Sequence, residues 1–162
     1  MHKDILVIDD NSDIRFLICK ILKDQNYVVR SAANYEQAIL EINKKIPDLA
    51  IVDIKLDKTD KDGIDLLKLI ISKNKSTPII MISGHATVQI AVEAIRLGAY
   101  EFIEKPFSTE KILNYVKRAF ETASLKKEKD IIENKLFHSF DLIGKSPAIS
   151  KIKKMIEKLS TS

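Results

Sequence analysis

With 162 residues, 45% of them hydrophobic and 31% charged, the chain can bury one α/β core with some chain to spare, which excludes a disordered or fibrous protein. No stretch approaches the roughly 20 apolar residues of a membrane span, and the N-terminus runs straight into a strand-like segment with no signal-peptide pattern, so a cytoplasmic protein without membrane contact is expected. The formal charge of +4 resides in residues 122–162, because residues 1–121 hold 18 basic and 18 acidic side chains; that lysine-bearing tail lacks interleaved aromatics, zinc ligands and a basic-zipper pattern, which argues against DNA binding by this chain.

Asp4 to Ile8 is an apolar run closed by Asp9 and Asp10, and Ser12 to Asp24 repeats apolar residues at helical spacing through Ile14, Leu17, Ile18, Ile21 and Leu22. That pattern predicts a strand followed by an amphipathic helix. The lone cysteine, Cys19, falls in this helix, has no partner for an internal disulfide, and is expected to serve core packing. The alternation recurs with strand Tyr27 to Ser31 and helix Tyr35 to Lys45, then strand Leu49 to Val52 and helix Ile64 to Lys73. Pro78 opens a fourth strand, Ile79 to Ile82, followed by a helix from Thr87 to Leu97. A short fifth strand, Glu101 to Ile103, precedes a helix that starts near Ser108 or Thr109, where a hydroxyl residue ahead of an apolar-periodic run is a start signal. Strands alternating with helices in this way predict a doubly wound α/β fold, a parallel sheet covered on both faces.

In such a fold polar groups gather outside the carboxyl ends of the strands, where the ladder stops. The residues leaving the strands are Asp9 and Asp10 after the first, Asp53 after the third, Ser83 after the fourth and Lys105 after the fifth. Each alone is an ordinary solvated loop residue; all five in order are a constellation. Three clustered carboxylates repel one another unless a hard, oxygen-seeking cation such as Mg²⁺ neutralises them. With a lysine and a hydroxyl opposite, the set suits phosphoryl transfer, whose catalysis is mostly alignment and charge neutralisation. Asp53 is then the nucleophile, Lys105 binds a phosphoryl oxygen, and Asp9, Asp10, Asp53 and the backbone carbonyl of Lys55 hold Mg²⁺.

The motifs ILVIDDN, Asp53, MISGHA and GAYEFIEKPF together resemble the receiver domain of bacterial two-component response regulators over residues 1–121. The resemblance implies a flavodoxin-like (βα)5 fold with a five-stranded parallel sheet in the order 2-1-3-4-5. It implies that Asp53 accepts a phosphoryl group from a sensor histidine kinase, that Ser83 is the switch hydroxyl, that Phe102 is the switch aromatic, and that the Lys105–Pro106 bond is cis. Phe102, lacking a hydroxyl, can signal only through packing. Lys55 and His85, two residues after Asp53 and Ser83, occupy positions that influence the lifetime of the phosphoryl group in the family, although both are equally readable as solvent-facing. A chain of this kind is a phosphoacceptor switch with self-phosphotransfer and slow autodephosphorylation, not an enzyme acting on a substrate.

The loop after Asp53 departs from the common receiver pattern, with Asp57 in place of a proline and an acidic run extending to Gly63. A lengthened acidic loop resembles the NtrX branch of the NtrC family. After Ser108 the apolar spacing continues through Ile112, Val116, Ala119 and Ala123 to Leu125, Ile132 and Leu136, predicting one extended helix with a linker at 122–141. Dimerisation through the face made by the fourth helix, fifth strand and fifth helix, aided by this linker, is expected. Residues 142–162 resemble the opening of an AAA+ domain; no G-x-x-x-x-G-K-[ST] run is present, so ATP hydrolysis by this chain is not expected. The resemblance implies a longer regulator that binds DNA and sigma-54 RNA polymerase. The alternative is a pseudo-receiver, a dimerisation module that works without phosphorylation, which normally lacks one of the five residues. An aspartate-nucleophile phosphohydrolase needs Asp-x-Asp at the first strand end, and a flavin-binding domain needs a glycine- and hydroxyl-rich loop there; Asp9-Asp10-Asn11 fits neither.

Overall fold

In the computed structural model, which describes residues 2–56, 62–85 and 87–143, five strands alternate with five helices. They are β1 (Asp4–Ile8), α1 (Ser12–Lys23), β2 (Val28–Ala32), α2 (Tyr35–Lys44), β3 (Leu49–Asp53), α3 (Gly63–Lys73), β4 (Ile79–Ser83), α4 (Val88–Arg96), β5 (Glu101–Glu104) and α5 (Thr109–Ile143). All strand pairs are parallel, in the order β2-β1-β3-β4-β5.

The strand sequences explain this sheet. β1, β3 and β4 are buried along their whole length, as continuous apolar runs demand when helices cover both faces. Alternate side chains divide into two cores. Leu6, Ile8, Ala50, Val52, Ile79 and Met81 pack with Ile42, Leu66, Leu67 and Ile70, under α2, α3 and α4. Ile5, Val7, Leu49, Ile51, Ile80 and Ile82 pack with Ile18 and Leu22 of α1 and Ile112 and Val116 of α5. A residue such as Ile8 or Ile51, fully buried, contributes on the order of 2–3 kcal/mol of transfer free energy.

The helices start where side chains satisfy their free amides: Asn11 for α1, Asn34 for α2, Asp62 for α3 and Thr87 for α4 each accept from backbone N–H groups of the first turn. Each such cap stabilises its helix by about 1 kcal/mol. Thr87 is thus the cap rather than the first helical residue. In α1 the buried stripe is Ile18, Ile21 and Leu22, whereas Leu17, expected on that face, is 49% exposed beside Phe16 at 72%. Leu17 lies about 100° around the helix from Ile18, at the margin of the stripe. Cys19 is half-buried against the second core, and burial raises its thiol pKa, only partly offset by Lys23 and Arg15.

At the amino end of the sheet Asp4 is buried and satisfied. Arg30 grips its carboxylate through Nε at 3.1 Å and Nη2 at 2.6 Å, and reaches on to Glu41 and the carbonyl of Lys45. That clamp ties β1, β2 and α2 together and accounts for the only buried acid away from the opposite end of the sheet among the described residues.

The chain divides into two compact units, Met1–Ala123 and Ser124–Ser162. α5 runs unbroken as far as Ile143, and in the second unit Leu125, Ile131 and Ile132 are exposed. The expected AAA+ opening falls almost entirely on residues 144–162, outside the described residues, as does most of the acidic loop, 57–61.

Candidate functional site

The carboxyl ends of β1, β3, β4 and β5 meet at one point. Asp9 is fully buried and Asp53 nearly so, and one carboxylate oxygen from each of Asp9, Asp10 and Asp53 lies within 4.8 Å of the others. Lys105, delivered by the turn after β5, places its ammonium 3.1 Å from Asp53 Oδ2 and 3.0 Å from Asp9 Oδ2. Its backbone N–H donates to the carbonyl of Ser83 at 2.8 Å, and the Lys105–Pro106 bond is cis. The sheet register sets these neighbours, because Asp53 pairs with Ile82 and Ser83 with Glu104.

Charge at the site is unbalanced. Burial, then the Asp9 carboxylate, push the Asp53 carboxyl up to about 6, against the opposing pull of Lys105 and of the Lys55 amide. For Lys105, burial acts downward, but its contacts with Asp9 and Asp53 outweigh it and raise its pKa. Burial is the largest influence on both groups; the charges of Asp9, Asp53 and Lys105 act on one another within it. Asp9 Oδ2 is buried, and the Lys105 ammonium lies against it at 3.0 Å as an ion pair. Three carboxylates around one ammonium, two of them buried and each with an oxygen within 4.8 Å of the others, fit a hard divalent cation, which takes oxygen ligands and neutralises such a cluster.

Several sequence-predicted residues stand near the cluster without joining it. Ser83 is buried, and its Oγ accepts from the His85 amide at 3.1 Å. The side chains of Lys55 and His85 are exposed; the Lys55 amide donates to Asp53 Oδ1 at 3.2 Å. Phe102 is partly buried, packed on the core under α3 and α4.

The chain matches the response regulator receiver domain family over residues 5–117. It belongs to that family. Over 159 residues it is 39% identical to an NtrX-like response regulator of Rickettsia bellii, with 98% of this chain and 33% of that protein covered. It is similar to the crystal structure of NtrX from Brucella abortus, with a TM-score of 0.81 and 38% identity, covering 100% of this chain and 36% of that one. The crystal structure of the Brucella abortus NtrX receiver domain alone gives a TM-score of 0.70 and 44% identity, covering 74% of this chain and 99% of that one. The chain therefore spans about a third of the length of the curated relative it matches.

The contacts that three residues of this receiver make at the site escaped the sequence reading, although Gly63 was legible as the end of the acidic loop. Asn11, besides capping α1, donates its amide to Asp9 Oδ1 at 2.9 Å; an Asn ahead of a helical run was signal enough to find it. Arg15 donates to the carbonyl of Asp9 at 2.8 Å, a contact across a loop and a helical turn that no local pattern announces. Gly63 begins α3 pressed against the main chain of β3: its amide donates to the Ile54 carbonyl at 2.7 Å, and a Cβ there would lie 2.0 Å from the carbonyl oxygen of Asp53. No side chain fits, so glycine lets the chain return from the acidic loop without displacing Asp53.

Proposed function

We propose that this receiver accepts a phosphoryl group on Asp53 from the phosphohistidine of a sensor histidine kinase, in a Mg²⁺-dependent reaction, and switches a downstream transcription-activator domain. The observation that carries the reading is the convergence of Asp9, Asp10, Asp53 and Lys105, with Asp9 and Asp53 buried. Asp9, Asp10, Asp53 and the Lys55 carbonyl would hold the ion, which supplies charge neutralisation at the phosphoryl oxygens when bound. An Asp53 carboxylate oxygen attacks phosphorus; the new O–P bond replaces the P–N bond of the donor, whose electron pair returns to the imidazole. Lys105, 3.1 Å from Asp53 Oδ2, binds a phosphoryl oxygen in this reading and holds the negative charge that the transfer adds.

The acyl phosphate then draws the Ser83 hydroxyl toward it by a hydrogen bond, which moves the loop before α4. Phe102 follows into the space behind Ser83, coupling the site to the face of α4, β5 and α5 by packing alone. Incubation with acetyl phosphate and Mg²⁺ tests the first step: intact mass is expected to rise by one phosphoryl group in the parent and not in Asp53→Ala. A parent that gains nothing at any Mg²⁺ concentration supports the pseudo-receiver instead.

The receiving surface is apolar. Val88, Val92 and Ile95 of α4 are exposed at i, i+4 and i+7, one stripe of a helix with only Ala94 buried. We propose that this stripe, with β5, α5 and the linker helix, pairs two copies of the chain when Asp53 is phosphorylated. Sedimentation with beryllofluoride and Mg²⁺ is expected to show a dimer for the parent and a monomer for Val92→Glu; a monomeric parent under those conditions removes the dimer from the account. The longer protein is proposed to carry an AAA+ ATPase domain, to bind DNA and to act on sigma-54 RNA polymerase, in keeping with the third of its relatives' length that this chain covers. No described helix is long and apolar enough to cross a membrane, consistent with the proposal of a cytoplasmic regulator.

A further inference from the structure

Arg15 stands in the opening turns of α1, where the positive end of the helix macrodipole disfavours a cation; the acid of the first turn, Asp13, is the residue that position prefers. Its guanidinium turns back, and Nη1 donates to the carbonyl oxygen of Asp9 at 2.8 Å. Backbone groups fix the rest of the same turn: the Asp9 amide donates to the Ala32 carbonyl at 3.2 Å, and the Asn11 amide donates to Asp9 Oδ1 at 2.9 Å. Among these contacts Arg15 alone supplies its donor from a side chain, and it does so against local helix preference, beside the acidic cluster. A local rule broken next to a site marks a residue retained for the site.

We infer that Arg15 is the positioning residue of the acidic pair: by anchoring the Asp9 carbonyl it holds the peptide between Asp9 and Asp10, and with it the spacing of the two carboxylates that receive a divalent cation. The inference rests on the phosphoacceptor reading only through that cation. Two effects of opposite sign compete. A partly exposed guanidinium repels a nearby divalent ion by about a few-fold at physiological ionic strength. Loss of an outer hydrogen bond that orients metal ligands weakens binding by about 10- to 100-fold. Positioning therefore dominates, and removing Arg15 weakens Mg²⁺ binding rather than strengthening it.

The test is calorimetric titration of Mg²⁺ alone into the parent, Arg15→Ala, Arg15→Met and Arg15→Lys, with circular dichroism to verify folding. Both Ala and Met are expected to bind about 10-fold more weakly, and Lys, which can still donate to the carbonyl, to recover part of the loss. Should Arg15→Ala fail to fold, Arg15→Met, with its long helix-compatible stem, carries the test. Affinity equal to the parent in the neutral variants overturns the inference, and so does tighter binding, which would make Arg15 no more than a repulsive charge. A parent that takes up no Mg²⁺ sinks the inference together with the reading of the site, whereas Mg²⁺ binding by the parent with no effect of Arg15 sinks the inference alone.

Discussion

In EDTA at pH 8 the Asp53→Asn protein is expected to be more stable than the parent by on the order of 2 kcal/mol. The Asp53 carboxyl titrates at about 6 in the fold, against an ordinary 3.8, so the fold favours its neutral form. The stability that this preference contributes is fully present below the unfolded pKa and is lost as pH rises through the folded one. Above pH 6 the parent carries a desolvated carboxylate next to Asp9, a cost that asparagine does not have, while the asparagine carbonyl can still accept from Lys105. Denaturant titrations of the two proteins should therefore converge near pH 4 and diverge between pH 4 and 7. Adding Mg²⁺ should reverse the order by stabilising only the folded parent. An Asn variant no more stable than the parent at pH 8 in EDTA would show that Lys105 already balances the cluster.

Lys105→Ala is expected to lower the rate of phosphoryl acceptance from acetyl phosphate by about 10²- to 10³-fold at saturating Mg²⁺, the usual cost of removing one preorganised donor to developing negative charge. The ammonium contacts Asp53 and Asp9 at once, and its side chain is only 15% exposed, so water replaces it poorly. Arginine should not rescue the rate, because a planar fork cannot occupy the position of a compact ammonium between two carboxylates. A Lys105→Ala protein that folds normally and accepts phosphoryl groups at the parent rate would remove Lys105 from the chemistry.

Element type and order were legible in the sequence because apolar runs such as Ile79 to Ile82 and helical spacings such as Ile112, Val116 and Ala119 are repeated local signals. The convergence of Asp9, Asp10, Asp53 and Lys105 was legible for a topological reason: every strand of a parallel sheet ends on the same side, so residues at the ends of distant strands become neighbours. What stayed hidden depends on three-dimensional reach. Arg15 meets the backbone carbonyl of Asp9, and Gly63 is required by the close approach of the main chain of Asp53 and Ile54 at the end of β3; both partners are main-chain groups, which no side-chain pattern registers. Leu17 was placed inward because its spacing suits the helix, yet a helix lying on a sheet buries a stripe narrower than its apolar content.

The most direct test of metal-dependent phosphoryl acceptance at Asp53 is reductive trapping. The parent is treated with acetyl phosphate in the presence or absence of Mg²⁺, reduced with borohydride so that an aspartyl phosphate becomes homoserine, and mapped by peptide mass. Homoserine at position 53, formed with Mg²⁺ and absent with EDTA, is the expected result. Homoserine at Asp9 or Asp10 instead, or none at position 53 with Mg²⁺ present, would contradict the account.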